Sequence, residues 1–195
     1  MKCKIKIYIF FFIILVFPLQ AMPNDSSELT KKPLNIQVQY AGNLGLISVG
    51  AGKSYFHDKL SFLIIYGYLP KIINGTNVHT FALKTSCKLA VTKVNSNLNM
   101  SYYTGITALY GIARNTYLDY PDYFPDGYYN ANAIHASFFF GSRLNFNLIH
   151  QKLKTISFFT ELGTLDYHIW CALKTKYIGF FDIWNLNVGI AFTLK

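Results

Sequence analysis

Polar and apolar residues alternate most regularly in the last segment of the chain, residues 185–195. The even positions are apolar, and the odd positions up to Thr193 are polar or small (Leu186, Val188, Ile190, Phe192 and Leu194 against Asn185, Asn187, Gly189, Ala191 and Thr193). A period of two residues is that of a β-strand, in which successive side chains point to opposite faces. The segment therefore predicts a strand with one apolar face and one polar or crowded face.

The same alternation recurs upstream and predicts seven further strands, at 34–41, 44–55, 60–69, 78–91, 98 to about 112, 133–148 and 155–170. It is lost after Gly163, which indicates a bulge or the edge of a membrane. Short turns are predicted at His57, Asn95 and Gln151, and longer segments at 70–77, 113–132 and 171–184. The turn at Gly42-Asn43 is the one short connection on the side of the longer segments. An even number of strands with short turns at one end and longer loops at the other is typical of a membrane β-barrel.

Composition supports the same interpretation. Aromatic residues make up 17% of the chain and charged residues only 14%, whereas soluble domains average about 25% charged residues. No segment after Leu19 reaches 18 consecutive apolar residues, so no membrane-spanning helix is available there. We therefore predict an all-β fold, an eight-stranded antiparallel transmembrane β-barrel with short periplasmic turns and longer outer loops.

The N-terminus has the layout of a secretory signal. Met1–Lys6 is basic, Ile7–Leu19 is apolar, and Ala21 is a small residue after which cleavage can occur. The apolar core is shorter than the about 20 residues of a spanning helix, with a retained N-terminal anchor as the alternative. We expect three parts, a signal peptide at 1–21, a polar flexible tail at 22–32 and the barrel domain at 33–195.

The charge of the chain is positive, with 18 basic against nine acidic residues. Three basic residues leave with the signal peptide, so 15 − 9 gives about +6 for the mature chain. The basic residues are scattered and the chain is expected to be exported, so no nucleic-acid partner is expected. Lipopolysaccharide phosphates are a better match for these cations, and a solvated surface is the alternative.

The last strand also carries a recognisable signal in Asn187, Gly189, Phe192 and Leu194. It resembles the C-terminal signal of bacterial outer-membrane barrels, although many of those end on an aromatic residue and this chain ends on Lys195. The resemblance implies recognition by the barrel-assembly machinery. The mature chain as a whole resembles the small OmpA/OmpX-type barrels, and the segments 37–42 and 66–70 resemble uncharacterised barrels of Bacteroidetes-type bacteria. These resemblances imply a structural or surface-interaction protein in the bacterial outer membrane.

The interior of an eight-stranded barrel is just wide enough to be filled by side chains, which argues against an open pore. If the chain turns near residues 151 and 152, Arg143 lies almost opposite Glu161. We predict an interior ion pair between Arg143 and Glu161, with Lys84 as a possible third member, because buried charges need partners. A structural plug is the favoured interpretation and an ion pathway the alternative.

His135-Ala136-Ser137 offers an alternative function. It resembles the His-x-Ser of the outer-membrane lipid A deacylases, in which a histidine activates a serine for attack on an ester. Here Phe138 replaces the Asn that usually follows the Ser, and the next acidic residue is Glu161. The alternation also points His135 and Ser137 toward the lumen, away from lipid. Interior hydrogen bonding is therefore the favoured role for both residues.

The long outer segment 113–132 is rich in aromatic residues that could bind a sugar, another extracellular ligand or a protein (Tyr120, Tyr123, Phe124, Tyr128 and Tyr129). The alternative is a loop packed over the barrel mouth. The scattered Cys and His residues do not form a metal-site pattern, and no Gly-rich phosphate loop precedes a helix, so neither a metal nor another cofactor is expected. A third alternative is a soluble, secreted lipocalin-like barrel, whose apolar faces would point inward.

Overall fold

The computed structural model describes residues 33–40, 42–114, 116–118, 132–148, 152–174, 179 and 181–194. Within these ranges eight antiparallel strands close into a barrel in chain order, and β8 pairs with β1. The strands are β1 (Leu34–Tyr40), β2 (Ile47–Tyr55), β3 (Leu60–Leu69), β4 (Val78–Lys93), β5 (Leu98–Ile112), β6 (Ile134–Asn147), β7 (Leu153–Leu165) and β8 (Asn185–Leu194). The predicted eight-stranded antiparallel barrel is confirmed. The predicted signal peptide at 1–21 and tail at 22–32 lie outside the described residues.

Two helices interrupt the connections, α1 (Lys71–Asn74) and α2 (Asp166–Lys174). The strand predicted at 155–170 is wrong at its end, because β7 stops at Leu165 and the chain continues as α2. Asp166 in the first helical turn and Lys174 in the last suit the helix dipole. The pairing of β6 with β7 is continuous up to Leu165, so the loss of alternation after Gly163 reflects the approaching helix and not a bulge. Among the helices the structure describes, none is long and apolar enough to cross a membrane.

The barrel presents large apolar side chains outward and encloses a lumen in which buried polar side chains outnumber buried apolar ones among the described residues. Ile64 and Ile65 are neighbours on β3, yet Ile64 is 72% exposed and Ile65 is 1% exposed, as expected for side chains on opposite faces. Other large apolar side chains are exposed around the wall, among them Leu83, Ile134, Phe140, Leu162 and Leu186. The buried polar residues include Gln37, Lys84, Ser157 and Glu161. This distribution is the reverse of that in a soluble protein.

Glycines allow the strands to approach closely on the inner face. A Cβ at Gly52 would lie 1.8 Å from the backbone oxygen of Phe62, and one at Gly105 would lie 2.1 Å from that of Thr85. Both approaches are far inside van der Waals contact, so these positions require glycine. Such positions mark the tight bends that a small barrel needs.

The lumen has two parts along the barrel. We call the end with the turns at 56–59 and 94–97 the turn end, and the end with α1 and α2 the loop end. An apolar cluster fills the lumen toward the loop end (Leu44, Leu63, Ile65, Ala82 and Leu109, with Leu165 packed against it). Polar side chains fill the middle and the turn end.

Candidate functional site

The centre of the lumen is occupied by an ion pair between Lys84 on β4 and Glu161 on β7. The Lys84 Nζ lies 2.5 Å from Oε1 and 2.7 Å from Oε2 of Glu161. The Tyr103 hydroxyl donates to Oε1 at 2.8 Å, and Asn187 Nδ2 donates to Oε2 at 3.2 Å. Lys84 is 2% exposed and Glu161 is 1% exposed. Two fully desolvated charges are tolerated here because each is paired and the carboxylate accepts further hydrogen bonds.

The structure corrects the predicted pairing of Arg143 with Glu161. The β6–β7 register places Glu161 opposite Gly141, and Arg143 opposite Phe159, two residues from the expected position. Lys84 reaches the carboxylate across the lumen, a contact that a hairpin register cannot reveal. An ion pair between Arg143 and Glu161 is absent from the described residues.

Arg143 lies instead between aromatic rings. Its guanidinium carbon is 5.0 Å from the Tyr103 ring centroid and 5.5 Å from that of Phe159, which is within the range of a cation–π interaction. The Nε atom is shielded from solvent and has no hydrogen-bond partner in the described part of the chain. Of the buried guanidinium atoms, only the Nε–H is left without a partner among the described residues.

His135 and Ser137 lie on the inner face near the loop end, as predicted, but they do not form a nucleophile–base pair in the described structure. His135 Nδ1 is 3.0 Å from the Asp166 carboxylate, and its Nε2 is 3.1 Å from the backbone oxygen of Asn132. Ser137 Oγ instead accepts a hydrogen bond from Asn43 Nδ2 at 2.9 Å. With an acceptor at each ring nitrogen, the imidazole favours its doubly protonated form, which has no lone pair to take a proton from serine.

Asp166 opens α2 and links this helix to the barrel. Burial alone would raise the pKa of its carboxyl, but hydrogen bonds from His135 and from the backbone N–H groups of Ala136 and Tyr167 outweigh burial and lower the pKa. The contact of Asp166 with His135 therefore persists down to acidic pH.

The turn end of the lumen contains a polar cavity of about 150 Å³. Its lining includes four cationic side chains and one carboxylate (Lys59, Lys88, Arg143, Lys154 and Asp58). Hydroxyl and amide side chains complete the wall, and Tyr103 separates the cavity from the central ion pair. Because Lys84 and Glu161 are almost fully buried above it, the cavity opens toward the turn end and ends inside the barrel.

Several residues of these sites were not predicted. Tyr103 shares the inward alternation of Ser101 and Thr107, a signal that could have revealed it. Lys88 also faces inward, and the register shift that follows it shows in the pairing but not in the sequence. Asp166 lies beyond the point where alternation ends, so no periodic signal indicates its contact with His135. The candidate binding residues Tyr120, Tyr123, Phe124, Tyr128 and Tyr129 lie outside the described residues.

The chain was compared with known proteins. No protein-family model matches the sequence, and no curated protein matches it. A solved structure of the Yersinia pestis outer membrane protein Ail in a phospholipid bilayer nanodisc is similar, with a TM-score of 0.38 and 11% sequence identity. The similarity covers 84% of this chain and 99% of the Ail chain. At this level of similarity the comparison carries no argument about function. The assignment of the fold as a closed eight-stranded barrel rests on the strand pairing itself.

Proposed function

We propose that this chain is a non-enzymatic β-barrel protein of the bacterial outer membrane, with a structural or surface-interaction role. The observation that carries this proposal is the reversed distribution of polarity. The outer wall exposes large apolar side chains such as Ile64, Leu83 and Phe140, whereas Lys84 and Glu161 are buried inside. In water such a wall would be an extensive exposed apolar patch, but in a bilayer it faces lipid at no cost.

Aromatic side chains at the strand ends support the same orientation in a membrane. Tyr40, Tyr66, Tyr68 and Tyr110 lie on the outer wall toward the loop end, and Tyr55 lies at the turn end. Tyrosine favours the boundary between lipid and water, because its ring is apolar and its hydroxyl is polar. Together these residues would form the aromatic girdles of a membrane barrel.

In this orientation the loop end could contact two kinds of partner, lipopolysaccharide and an extracellular ligand or protein. At the loop end Arg114 and Lys174 are exposed cations that could contact lipopolysaccharide phosphates. The loop aromatic residues Tyr120, Tyr123, Phe124, Tyr128 and Tyr129 remain the candidates for contact with an extracellular ligand or protein. The signal peptide at 1–21 would direct export, and cleavage after Ala21 can be checked by N-terminal sequencing of the mature protein.

The last strand would be the contact with the barrel-assembly machinery. Phe192 and Leu194 belong to its outward-facing set, whereas Asn187 and Gly189 face the lumen. The last two also have roles in the folded barrel, because Asn187 donates to Glu161 and a Cβ at Gly189 would lie 2.4 Å from the Phe159 ring. Variants that separate assembly from stability should therefore be made at Phe192 and Leu194.

The two alternative functions fit the geometry less well. A lipid A ester hydrolase would need His135 to act as base for Ser137, and both His135 ring nitrogens already face other acceptors. A soluble lipocalin-like barrel would need an apolar lumen, whereas Gln37, Lys84 and Glu161 are among the most buried side chains. We therefore propose neither an ester hydrolase nor a soluble lipocalin-like barrel.

The proposal is tested by cell fractionation combined with gel mobility of the extracted protein with and without boiling. We expect the protein in the outer-membrane fraction and a band that shifts on boiling, because a closed barrel resists unfolding by detergent until it is heated. Recovery of the protein in the soluble periplasmic fraction or the medium, with no shift, would overturn the proposal.

The surface-interaction role is tested with a variant in which Tyr120, Tyr123, Tyr128 and Tyr129 are replaced by Ser. We expect a barrel with an unchanged heat-dependent shift and reduced adhesion of expressing cells to a glycan or protein array. A matched variant, Ile72→Ser, changes an apolar side chain on α1 that is 97% exposed and serves as the control. Equal adhesion of all three proteins would argue against a binding role for this loop.

A further inference from the structure

The cavity at the turn end has an excess of positive charge. Four cations and one carboxylate line it, a net of +3. The carboxylate, Asp58, already lies 3.4 Å from Lys154 at the rim. Glu161, the carboxylate that lies beyond Tyr103 in the lumen, forms an ion pair with Lys84. Within the described residues neither Lys88 nor Arg143 therefore has a carboxylate within ion-pairing distance.

The strand geometry aims these two cations into the cavity. Lys88 pairs with Tyr103, and Arg143 pairs with Ser101, so both side chains share the inward face of the sheet. The register shifts immediately after Lys88, and such irregularities re-aim side chains and end regular pairing. Lys88 is half-buried, and the Arg143 Nε is shielded and without a hydrogen-bond partner in the described chain.

Like charges held together in a partly enclosed site repel one another, and screening by solvent is weaker there than at an open surface. An anion that accepts hydrogen bonds from both side chains would remove that repulsion. Guanidinium and ammonium groups together are a common recognition set for phosphate oxygens. A cavity of about 150 Å³ corresponds to the volume of roughly five waters, which leaves room for one phosphoryl group with some water.

We propose that the turn-end cavity is a binding site for a phosphoryl group, held by Arg143 and Lys88 and accompanied by Lys59 and Lys154 at the mouth. The group is either free phosphate or the phosphate of a small ester. The site goes beyond the proposed function, since binding requires only the folded barrel. In the proposed orientation its mouth faces the periplasm.

The test is isothermal titration calorimetry of the full mature barrel in detergent with inorganic phosphate, at an ionic strength held constant with chloride. We expect saturable binding of one phosphate per chain. Lys88→Gln and Arg143→Gln should each weaken it by about tenfold or more, the effect of losing a charge-assisted hydrogen bond. Lys71→Gln removes the same charge from an exposed residue at the loop end and should leave the affinity unchanged.

Asp58→Asn provides a test in the opposite direction. It removes the carboxylate from the cavity wall and should tighten phosphate binding. Asp58 has a positive φ of 63°, a conformation that Asn tolerates well, so this variant should fold. If a lumen variant fails to fold, as judged by the loss of its heat-dependent gel shift, Asp58→Asn alone decides the matter.

Each outcome of the titrations either supports or overturns the phosphate site. Any one of three results would overturn the proposal: no saturable binding, equal phosphate affinity of the Lys71 and Lys88 variants, or phosphate binding by Asp58→Asn that is unchanged or weaker. A second titration with glycerol phosphate distinguishes the sources, because binding of both compounds indicates a phosphate ester and binding of inorganic phosphate alone indicates the free ion. A barrel that binds phosphate but fractionates as a soluble protein would contradict the proposed membrane location and leave this site standing.

Discussion

Breaking the central ion pair should be among the most damaging single changes in the barrel. In Lys84→Met the Glu161 carboxylate loses its cation and keeps only the hydrogen bonds from Tyr103 and Asn187. Both charged side chains are almost fully buried, so water cannot replace the lost contact without opening the lumen. Removing one partner of a buried pair typically costs about 3–5 kcal/mol of unfolding free energy. We expect a cost in this range for Lys84→Met.

The double variant Lys84→Met/Glu161→Gln shows whether the cost arises from the pair. Once the uncompensated carboxylate is gone, the cost should be smaller than the sum of the two single costs, with a coupling free energy of about 2 kcal/mol or more. The matched cycle uses Arg143→Met with Glu161→Gln. Arg143 does not pair with the carboxylate in the described structure but shares Tyr103 with it. This second cycle should therefore show clearly weaker coupling than the Lys84 cycle.

Unfolding in urea is measured in phospholipid vesicles, with tryptophan fluorescence and the fraction of unshifted gel band as two independent probes. Agreement of the two probes supports a two-state analysis. Additivity in the Lys84 cycle, together with strong coupling in the Arg143 cycle, would refute the reasoning. It would mean that the β6–β7 register differs by two residues from the one described.

Three further predictions concern packing, pH and the outer wall. Gly52→Ala would place a Cβ 1.8 Å from a backbone oxygen and should lower the unfolding free energy by about 2 kcal/mol or more. Gly111→Ala is the control in the same urea assay and should be nearly neutral, because a Cβ there meets its nearest atom at 3.9 Å. Because the pKa of Asp166 is lowered in the folded state, its contribution to stability is present above the unfolded pKa of about 3.9 and is lost as pH falls through the folded pKa. Hydrogen exchange of the α2 amides should therefore rise below about pH 4 in the wild-type protein and show no such step in Asp166→Asn. Ile64→Lys puts a charge on the outer wall and should cost about 2–4 kcal/mol in vesicles if it faces the bilayer midplane, while Ile72→Lys on exposed α1 should change stability by less than about 0.5 kcal/mol.

The strands could be predicted because a period of two is a local property of the sequence. β3 and β5 were predicted with the bounds that the structure shows, and apart from the end of β7 the other ends agree or differ by one to three residues. The inward or outward direction of each side chain follows from the same alternation. The end of β7 was missed because the sequence from Asp166 onward has mixed polarity without a strand period.

Contacts across the lumen could not be predicted in the same way. A hairpin register relates two neighbouring strands, whereas Lys84 on β4 and Glu161 on β7 meet only because the sheet closes. Their distance depends on the stagger of all strands and on the length of the lysine side chain. The same reason explains why the cationic cavity was not expected from the sequence, since its cations come from β4, β6, β7 and the turn at 56–59.

The central claim, that the apolar wall faces lipid, is tested most directly by spin labels at two positions. Ile64→Cys, on the outer wall, and Ile72→Cys, on α1 at the loop end, are labelled in a background with Cys87→Ala and Cys171→Ala, and the barrel is reconstituted in phospholipid vesicles. We expect the label at Ile64 to collide mainly with oxygen dissolved in the bilayer, and the label at Ile72 to collide mainly with a water-soluble paramagnetic reagent. Equal access of the water-soluble reagent to both labels would contradict it.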